Sequence, residues 1–366
     1  MKILNSNEVN TGRQIEADIA KAICIVGMVL VHMYEEFEAP FLDTGFQNAL
    51  VNVIQTLVGA PCFMFCMGLG ISYTKNNSGD DLLKRGLQIL LIGYTLNFFR
   101  SSILYPICAA IRNYPTSEII YGTYIRFMEN DILQFAGMAL IIMGLLKKLK
   151  FDNKKILLVS VGLSIIGSFV RFVSVNPYLD YPLGLFIGTY DVEADMVRTY
   201  FPSFNWLIFV CAGNVYGDIL KRVEDKKKFY GIFVPVFGVI VAIYLLFAIP
   251  NQIGMINPDL KWYYHLTTFD ACFSIMSCVA ILGIYYFISF VLPEIIKKFL
   301  TSVSRNINRI YCIHWVILYN ASIFMHVYLE KEYLDSMLIC NVAAICLFLF
   351  SYAMALLVEK RMKHGN

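Results

Sequence analysis

Charged residues are scarce in this chain, and several familiar catalytic motifs are missing from it. Asp, Glu, Lys and Arg together make up 16% of the 366 residues. The sequence has no nucleotide-binding P-loop, no GxSxG elbow and no HExxH motif, which argues against an ATP-driven pump, a serine hydrolase and a zinc protease. It also lacks a basic patch interleaved with stacking aromatic residues, so we expect no nucleic-acid partner.

Long apolar runs are what the sequence has in abundance. Hydrophobic residues make up 58% of the chain, and most of the ten runs have the roughly 17 to 25 residues that a helix needs to cross a bilayer. The predicted spans are 17–34, 47–73, 82–99, 131–146, 156–172, 204–220, 229–249, 269–292, 310–327 and 338–358. The sequence therefore predicts an all-α polytopic membrane protein with about 10 transmembrane helices, in a single domain over residues 1–366. An apolar stretch at 103–111 is a candidate re-entrant or interfacial piece.

The distribution of cations predicts the orientation. With these spans, 23 of the 30 Lys and Arg residues fall on the side that carries both termini. Acidic clusters at 35–38 and 191–195 lie on the other side. By the positive-inside rule, both termini are expected in the cytoplasm.

The ten cysteines do not indicate a disulfide framework. Nine lie inside predicted spans and Cys108 lies in the apolar run before the fourth span, where a thiol behaves as a small hydrophobic group. Cys62 and Cys66 are one helical turn apart, but no histidine or second cysteine pair accompanies them in the sequence. We therefore expect no metal site.

The first span is unusually rich in ionisable residues, which are costly inside a bilayer and therefore functional candidates. Lys21 and His32 are eleven residues apart, which places them about 20° apart on one helix face and roughly 16 Å apart along the axis. Asp18 lies one turn before Lys21 on the same face. This face would join the two sides of the membrane, with Lys21 near the cytoplasm.

His32 is the main candidate for catalysis. Glu35 and Glu36 follow it by one turn, and a carboxylate beside an imidazole fixes its tautomer and raises its basicity. We therefore expect catalytic roles for His32 and Glu36. The alternative is that His32 lies in the outer headgroup region, while Asp18 and Lys21 form an ion pair at the inner interface.

Three further candidates each have a plain alternative. Lys84 and Arg85 open the third span, where two cations could meet nucleotide phosphates, although topology signals would look the same. Asp270 begins the eighth span and could orient His32 from across the bundle, or simply end a solvated helix. His314, near the cytoplasmic leaflet, is a candidate for the cofactor site or for an interfacial aromatic belt.

Two other patterns have ordinary structural explanations. Asn130, Asp131 and Gln134 open the fourth span, where Asp or Asn is a common helix N-cap. Gly213 and Gly217 form a small-xxx-small pattern, which in a span usually indicates close helix packing.

Several stretches resemble transmembrane acyltransferases. DIAKAICIVGMVLVH at 18–32 resembles the opening of the bacterial acyltransferase type three family, whose first span has an Arg, ten residues and a His; here Lys21 replaces the Arg and His32 matches. RIYCIHWVIL at 309–318 also resembles the type three pattern. Four other stretches are similar to the heparan-alpha-glucosaminide N-acetyltransferase catalytic domain: PCFMFCMGLGISYTKN at 61–76, LLKRGLQILLIG at 82–93, NDILQFAGMALIIMGLLKK at 130–148 and WLIFVCAGNVYGDILKR at 206–222.

This resemblance implies an acyl-CoA donor, usually acetyl-CoA, bound from the cytoplasm, and an acceptor hydroxyl or amine on a sugar or cell-surface glycan at the far side. His32 would either deprotonate the acceptor or accept the acyl group itself. Lys21 keeps a cation but loses the bidentate fork of Arg. The bacterial relatives imply that the protein lies in a plasma membrane. Whether it forms a homo-oligomer stays open. The expected catalytic residues are His32, Glu36 and Asp270, and the expected donor-binding residues are Asp18, Lys21, Lys84, Arg85 and His314.

A different function class stays open from the sequence. In a secondary transporter or flippase, the face of Asp18, Lys21 and His32 would relay protons or substrate without covalent chemistry. Against this, the chain does not show two matching halves with paired interrupted helices. A degenerate family member that binds the donor without turning it over is a third alternative. Binding of CoA discriminates the transporter from the acyltransferase.

Overall fold

The computed structural model describes residues 3–37, 55–56, 59–191, 196–257, 259–331 and 336–364. The chain is 77% helical, and its small sheet pairs strand β1 (Tyr190–Asp191) antiparallel with strand β2 (Met196–Val197). The all-α class is therefore confirmed. The helices are α1 (Ile15–Glu36), α2 (Ala60–Tyr73), α3 (Gly79–Asn97), α4 (Leu104–Ile111), α5 (Thr116–Met128), α6 (Ile132–Lys148), α7 (Asn153–Phe169), α8 (Pro177–Leu183), α9 (Ser203–Leu220), α10 (Lys226–Asn251), α11 (Leu260–Tyr264), α12 (Thr268–Ile288), α13 (Glu294–Arg305), α14 (Ile307–Ile323) and α15 (Met337–His364).

A helix forms at each of the ten predicted spans, but fewer helices meet simple criteria for crossing a membrane. Five helical segments in the described part are long and apolar enough, or six if the bent pair of α5 and α6 forms one span. The remaining helices are shorter or more polar; α2, for example, has 14 residues. The count of ten spans and the cytoplasmic termini stay predictions. Part of the second span, at 47–54 and 57–58, lies outside the described residues, as do Glu38, Glu193 and Asp195.

The apolar stretch at 103–111 continues the third span. A π-helical turn, Phe98–Ser102, joins α3 to α4, and together they form one apolar segment of 33 residues. A second π-helical turn, Phe324–Tyr328, extends α14 in the same way. Such turns often occur at functional sites, and both lie close to the candidate site described below.

Local signals in the sequence set the starts of several helices. The Ser78 side chain caps α3 and forms a capping box with Asp81. Thr267 and Asp270 form the same arrangement at the start of α12. Each box satisfies two backbone N–H groups that would otherwise lack partners at the helix start.

The centre of the molecule is built on a close approach of α2 and α9. A Cβ added at Gly213 would lie 2.0 Å from the Phe65 carbonyl oxygen, and one added at Gly68 would lie 1.9 Å from the Val210 carbonyl oxygen. At Gly217 it would lie 1.9 Å from the Ser72 hydroxyl. The close packing predicted from Gly213 and Gly217 is therefore confirmed.

Replacing Gly213 with alanine should destabilise the protein by about 1 to 3 kcal/mol, because the new methyl group forces two backbones apart. Thermal unfolding of the detergent-purified protein measures this loss. Gly162→Ala on α7 is the matched control, since a Cβ there meets nothing within 4 Å. It should leave stability unchanged or raise it slightly through helix propensity. Equal stability of the two variants would contradict the packing argument.

Candidate active site

A polar cavity of about 220 Å³ lies at one end of the helix bundle. We call it the His32 cavity. A smaller cavity of about 40 Å³ adjoins it and shares His32, Glu35 and Asp131 with it. The wall of the His32 cavity combines an imidazole and four carboxylates with five aromatic rings: His32, Glu35, Glu36, Glu129, Asp131, Tyr200, Phe201, Tyr264, Trp315 and Tyr319.

Glu35 holds the His32 imidazole. The Nδ1 atom of His32 lies 2.9 Å from Glu35 Oε2, and the Gln55 amide donates to Glu35 Oε1 at 3.1 Å. A carboxylate oxygen accepts, so Nδ1 is the donor in this contact, and Nε2 is the ring nitrogen left for another partner. Glu36 was the carboxylate predicted to be catalytic, and it lines the same cavity. The neighbour that contacts the imidazole, however, is Glu35.

Aromatic side chains from α14 support the imidazole. The His32 ring centroid lies 4.2 Å from that of Trp315 and 5.7 Å from that of His314, with the two imidazoles nearly parallel. His314 is fully buried, and its Nδ1 lies 3.1 Å from the Ile310 carbonyl oxygen. His314 was expected to bind the donor; the structure places it beside His32 and outside the wall of the Lys21 cavity, and its donor-binding role stays a prediction.

A buried ion cluster lies next to His32 and was not predicted from the sequence. Arg100, only 1% exposed, donates to Asp131 Oδ2 and to Glu129 Oε2, both at 2.9 Å. The Tyr311 hydroxyl donates to the same Asp131 oxygen at 2.7 Å. The other Asp131 oxygen accepts from the Ile132 backbone N–H at 2.6 Å, which confirms the expected N-cap. The cluster joins the π-helical turn after α3, the start of α6 and α14, and it contributes Glu129 and Asp131 to the wall of the His32 cavity.

Asp270 does not reach His32, and its predicted orienting role was wrong. One of its oxygens accepts from the Thr267 hydroxyl at 2.7 Å and the other accepts from the Tyr244 hydroxyl at 3.0 Å. The side chain is 5% exposed and lines a separate small cavity between α10 and α12. It is a buried helix cap, because both oxygens are already used locally.

A second cavity, of about 210 Å³, contains two of the predicted donor-binding cations. We call it the Lys21 cavity. Lys21, Arg85, Thr74 and Asn308 contribute its polar wall, and apolar side chains form the rest. The Nη1 atom of Arg85 is buried without a hydrogen-bond partner among the described residues. A cation with an unused donor in a cavity is suited to an anionic ligand.

The other two predicted donor-binding residues have different surroundings. Lys84 is exposed and lies outside the wall of the Lys21 cavity. Asp18 is buried and accepts from the Arg13 guanidinium and, at 2.7 Å, from the Ser304 hydroxyl. The Lys21 ammonium lies 3.6 Å from Asp18 Oδ1, so Asp18 orients Lys21 at the cavity edge.

Four helices line both the Lys21 cavity and the small cavity that adjoins the His32 cavity. Helix α1 contributes Lys21 to the Lys21 cavity and His32 to the small cavity. Helices α2 and α6 contribute Phe63 and Leu133 to the Lys21 cavity, and Ala60 and Ile132 to the small cavity. Helix α14 contributes Asn308 and Tyr311 in the same way. The cationic cavity and the small cavity beside His32 are therefore built on the same four helices.

The segment at 196–202 contributes to the wall of the His32 cavity. Its Tyr200 and Phe201 lie in the cavity wall. Arg198 donates to the buried Asp180 at 3.1 Å, and His265 Nε2 lies 2.9 Å from the Thr199 carbonyl oxygen. Burial lowers the pKa of His265 to about 4, so the imidazole is neutral at pH 7 and donates this bond. The segment is therefore fixed at several points.

The described part of the chain contains no group of three or more His, Cys, Asp or Glu side chains placed to hold a metal ion. None of the ten cysteines, all of which the structure describes, forms a disulfide.

The fold and the two cavities define a helical membrane protein with a cation-lined cavity and an imidazole–carboxylate site in one bundle. Residues 13–247 match the family described as heparan-alpha-glucosaminide N-acetyltransferase, catalytic. The chain therefore belongs to this family of membrane acetyltransferases, and the resemblance seen in the sequence is confirmed. The matched region includes His32, Lys21, Arg85 and Asp131, whereas His314 lies beyond it. No curated protein matches the chain.

Proposed function

We propose that the protein is a membrane-bound acyltransferase that moves an acyl group, an acetyl group in the simplest case, from acyl-CoA to a sugar. The donor binds at the Lys21 cavity, and a hydroxyl or amine of a sugar or surface glycan enters the His32 cavity. The family membership supports acetyl transfer from acetyl-CoA in general. The observation that carries the proposal is that α1, α2, α6 and α14 line both the Lys21 cavity and the small cavity that shares His32 with the His32 cavity.

The Lys21 cavity suits the chemistry of a CoA ester. Lys21 and Arg85 provide two cations for phosphate groups, and Arg can bind a phosphate through two parallel hydrogen bonds. The apolar side chains that complete the cavity suit the less polar pantetheine arm. That arm would carry the thioester along α1 toward His32, roughly 16 Å from Lys21 along the helix axis.

His32 acts as the general base in this proposal. Its Nε2 accepts the proton of the acceptor hydroxyl or amine while the acceptor atom attacks the thioester carbonyl carbon. The carbon–sulfur bond breaks, and the CoA thiolate leaves and is protonated. Glu35 stabilises the imidazolium that forms, because it already accepts from Nδ1. Transfer through an acyl-histidine is the alternative route.

The proposal includes the orientation predicted from the cations. The Lys21 cavity faces the cytoplasm, where acyl-CoA is made, and the His32 cavity opens to the outside of a bacterial plasma membrane. Lys21 and Arg85 line one cavity, while Arg100, predicted on the opposite side, lies beside the other. This separation is the one that the charge distribution predicts.

Acetyl-CoA should raise the melting temperature of the detergent-purified protein in a saturable way, because a ligand that binds only the native state stabilises it. Acetate and free CoA are the controls. If acetyl-CoA stabilises the protein, a second assay that follows the transfer of radiolabelled acetyl groups to membrane glycans tests the reaction itself. Folded protein that shows no shift at millimolar acetyl-CoA would contradict the proposal and favour a transporter.

Arg85→Ala should weaken acetyl-CoA binding by about 1 to 3 kcal/mol, the range for a lost charge-assisted hydrogen bond. Lys84→Ala is the matched control: it removes the neighbouring cation, which is exposed and outside the Lys21 cavity. Its affinity should equal that of the wild type. Titration calorimetry with acetyl-CoA measures both constants. Equal losses in the two variants would show that general positive charge, and not the cavity, determines donor affinity.

A further inference from the structure

Helix α13 differs from its neighbours in length and position. It has 12 residues, fewer than the roughly 17 needed to cross a bilayer. It begins six residues after α12 ends and is followed almost directly by α14. Both flanking helices are apolar and long enough to cross a membrane. Because each end of α13 connects to a helix that is long and apolar enough to cross a membrane, a position at the membrane surface is the one that fits its length.

The two faces of α13 have opposite character. Ile295, Ile296 and Phe299 are exposed on one side, and Ile295 retains 75% of its accessible surface. Val291, just before the helix, retains 80%. Apolar side chains this exposed do not belong in water, and at a membrane surface they enter the acyl-chain region.

A cation lies at the edge of this apolar face. Lys298 is three residues after Ile295, so the two side chains are about 60° apart around the helix axis. Lys298 is exposed and forms no ion pair within the described part of the chain, whereas Lys297 pairs with Glu294 at 2.8 Å. An unpaired ammonium beside membrane-facing apolar groups lies at the depth of lipid phosphates.

Helix α13 is also firmly attached to the first helix. Val303 and Ser304 are buried, and the Ser304 hydroxyl donates to Asp18 at 2.7 Å. Ser304 is nine residues after Ile295, which places it about 180° away around the helix axis. The Ser304 side of α13 is thus fixed to α1, and the opposite side with Ile295 and Lys298 is held outward. A surface presented in this way needs no rearrangement to bind its ligand.

We propose that α13 is an in-plane interfacial helix that binds an anionic phospholipid, with its acyl chain against Ile295 and Phe299 and its phosphate at Lys298. Charge decides the class of lipid, because a zwitterionic headgroup gives the unpaired ammonium no net attraction. The apolar face favours a lipid over a soluble phosphate, because a soluble phosphate would leave Ile295 and Phe299 without a partner. The inference does not depend on the acyltransferase activity.

Photo-crosslinking of the full chain with a photoactivatable phosphatidylglycerol tests this site. In detergent micelles, the peptide containing residues 290–299 should be labelled, and phosphatidylcholine with the same acyl chains should label it several-fold less. Lys298→Gln should reduce labelling by phosphatidylglycerol about five-fold, the ratio that corresponds to about 1 kcal/mol for one surface lysine. Because Lys298 is exposed, the variant should fold normally.

The matched control is Lys75→Gln, an exposed cation in the polar turn after α2. It should leave the labelling of residues 290–299 unchanged. Unlabelled phosphatidylglycerol should compete for the site, and glycerol phosphate at the same concentration should not. Unchanged labelling in Lys298→Gln, equal labelling by phosphatidylcholine, or displacement by glycerol phosphate would each overturn the proposal.

Discussion

Replacing His32 with alanine should lower the rate of acetyl transfer by about 10² to 10⁴-fold, the usual contribution of a general base. The loss should fall on the rate of transfer and leave acetyl-CoA affinity nearly unchanged, because Lys21 lies roughly 16 Å away along α1 and Arg85 lines the Lys21 cavity rather than the His32 cavity. Transfer of label from acetyl-CoA to membrane glycans gives the rate, and titration with acetyl-CoA gives the affinity. Transfer that persists at the wild-type rate would remove His32 from the mechanism.

The two neighbouring carboxylates provide a matched comparison for the same experiment. Glu35→Gln should also lower the transfer rate, because it removes the charge next to His32 Nδ1. Glu36→Gln should have a smaller effect, since Glu36 lines the cavity without being the imidazole's hydrogen-bond partner. The opposite order of effects would reinstate Glu36 as the catalytic carboxylate.

Replacing Arg100 with methionine should destabilise the protein by about 3 to 5 kcal/mol, because it leaves two buried carboxylates without their cation. Both Glu129 and Asp131 accept from Arg100 at 2.9 Å. Thermal unfolding in detergent measures the loss. Adding Glu129→Gln and Asp131→Asn to the Arg100 variant should recover part of the stability, since neutral amides cost less to bury than unpaired charges.

Arg112→Met is the control for this prediction. Arg112 forms an ion pair with Glu330 in which both side chains are partly exposed, and such surface pairs contribute about 0 to 1 kcal/mol. If the Arg100 and Arg112 variants lost the same stability, the buried cluster would contribute no more to the free energy of unfolding than a surface ion pair.

The sequence predicted the positions of the long helices well, because apolar runs bounded by charges are a strong signal in a membrane protein. It missed α5, α8, α11 and α13, which are short and less uniformly apolar. It also treated 103–111 as a separate piece, whereas α4 continues α3 through a π-helical turn. Nothing in the local sequence distinguishes such a continuation from a break.

Site residues that lie on one helix, such as His32 and its carboxylate neighbours, could be related to one another from the sequence. Contacts between residues on different helices depend on tertiary packing and could not. His32 stood out because an imidazole inside an apolar span is rare, and its carboxylate neighbour is one turn away. Asp270 was misplaced because the sequence does not say which helices are neighbours. Asp131 was correctly assigned as a helix cap, but its second oxygen meets Arg100, on a different helix. Only the fold brings these two residues together.

The segment at 196–202 has a consequence for how acceptor preference can diverge among related proteins. Tyr200 and Phe201 form part of the wall around His32, yet they belong to a connection that Arg198 attaches to Asp180 of α8 and that His265 contacts at the Thr199 carbonyl. Substitutions at these two aromatic positions should therefore change the shape of the His32 cavity, where we propose that the acceptor binds, without touching the helices that carry His32, Lys21 and Arg85. New specificities can arise in a loop while the chemistry of the bundle is inherited intact.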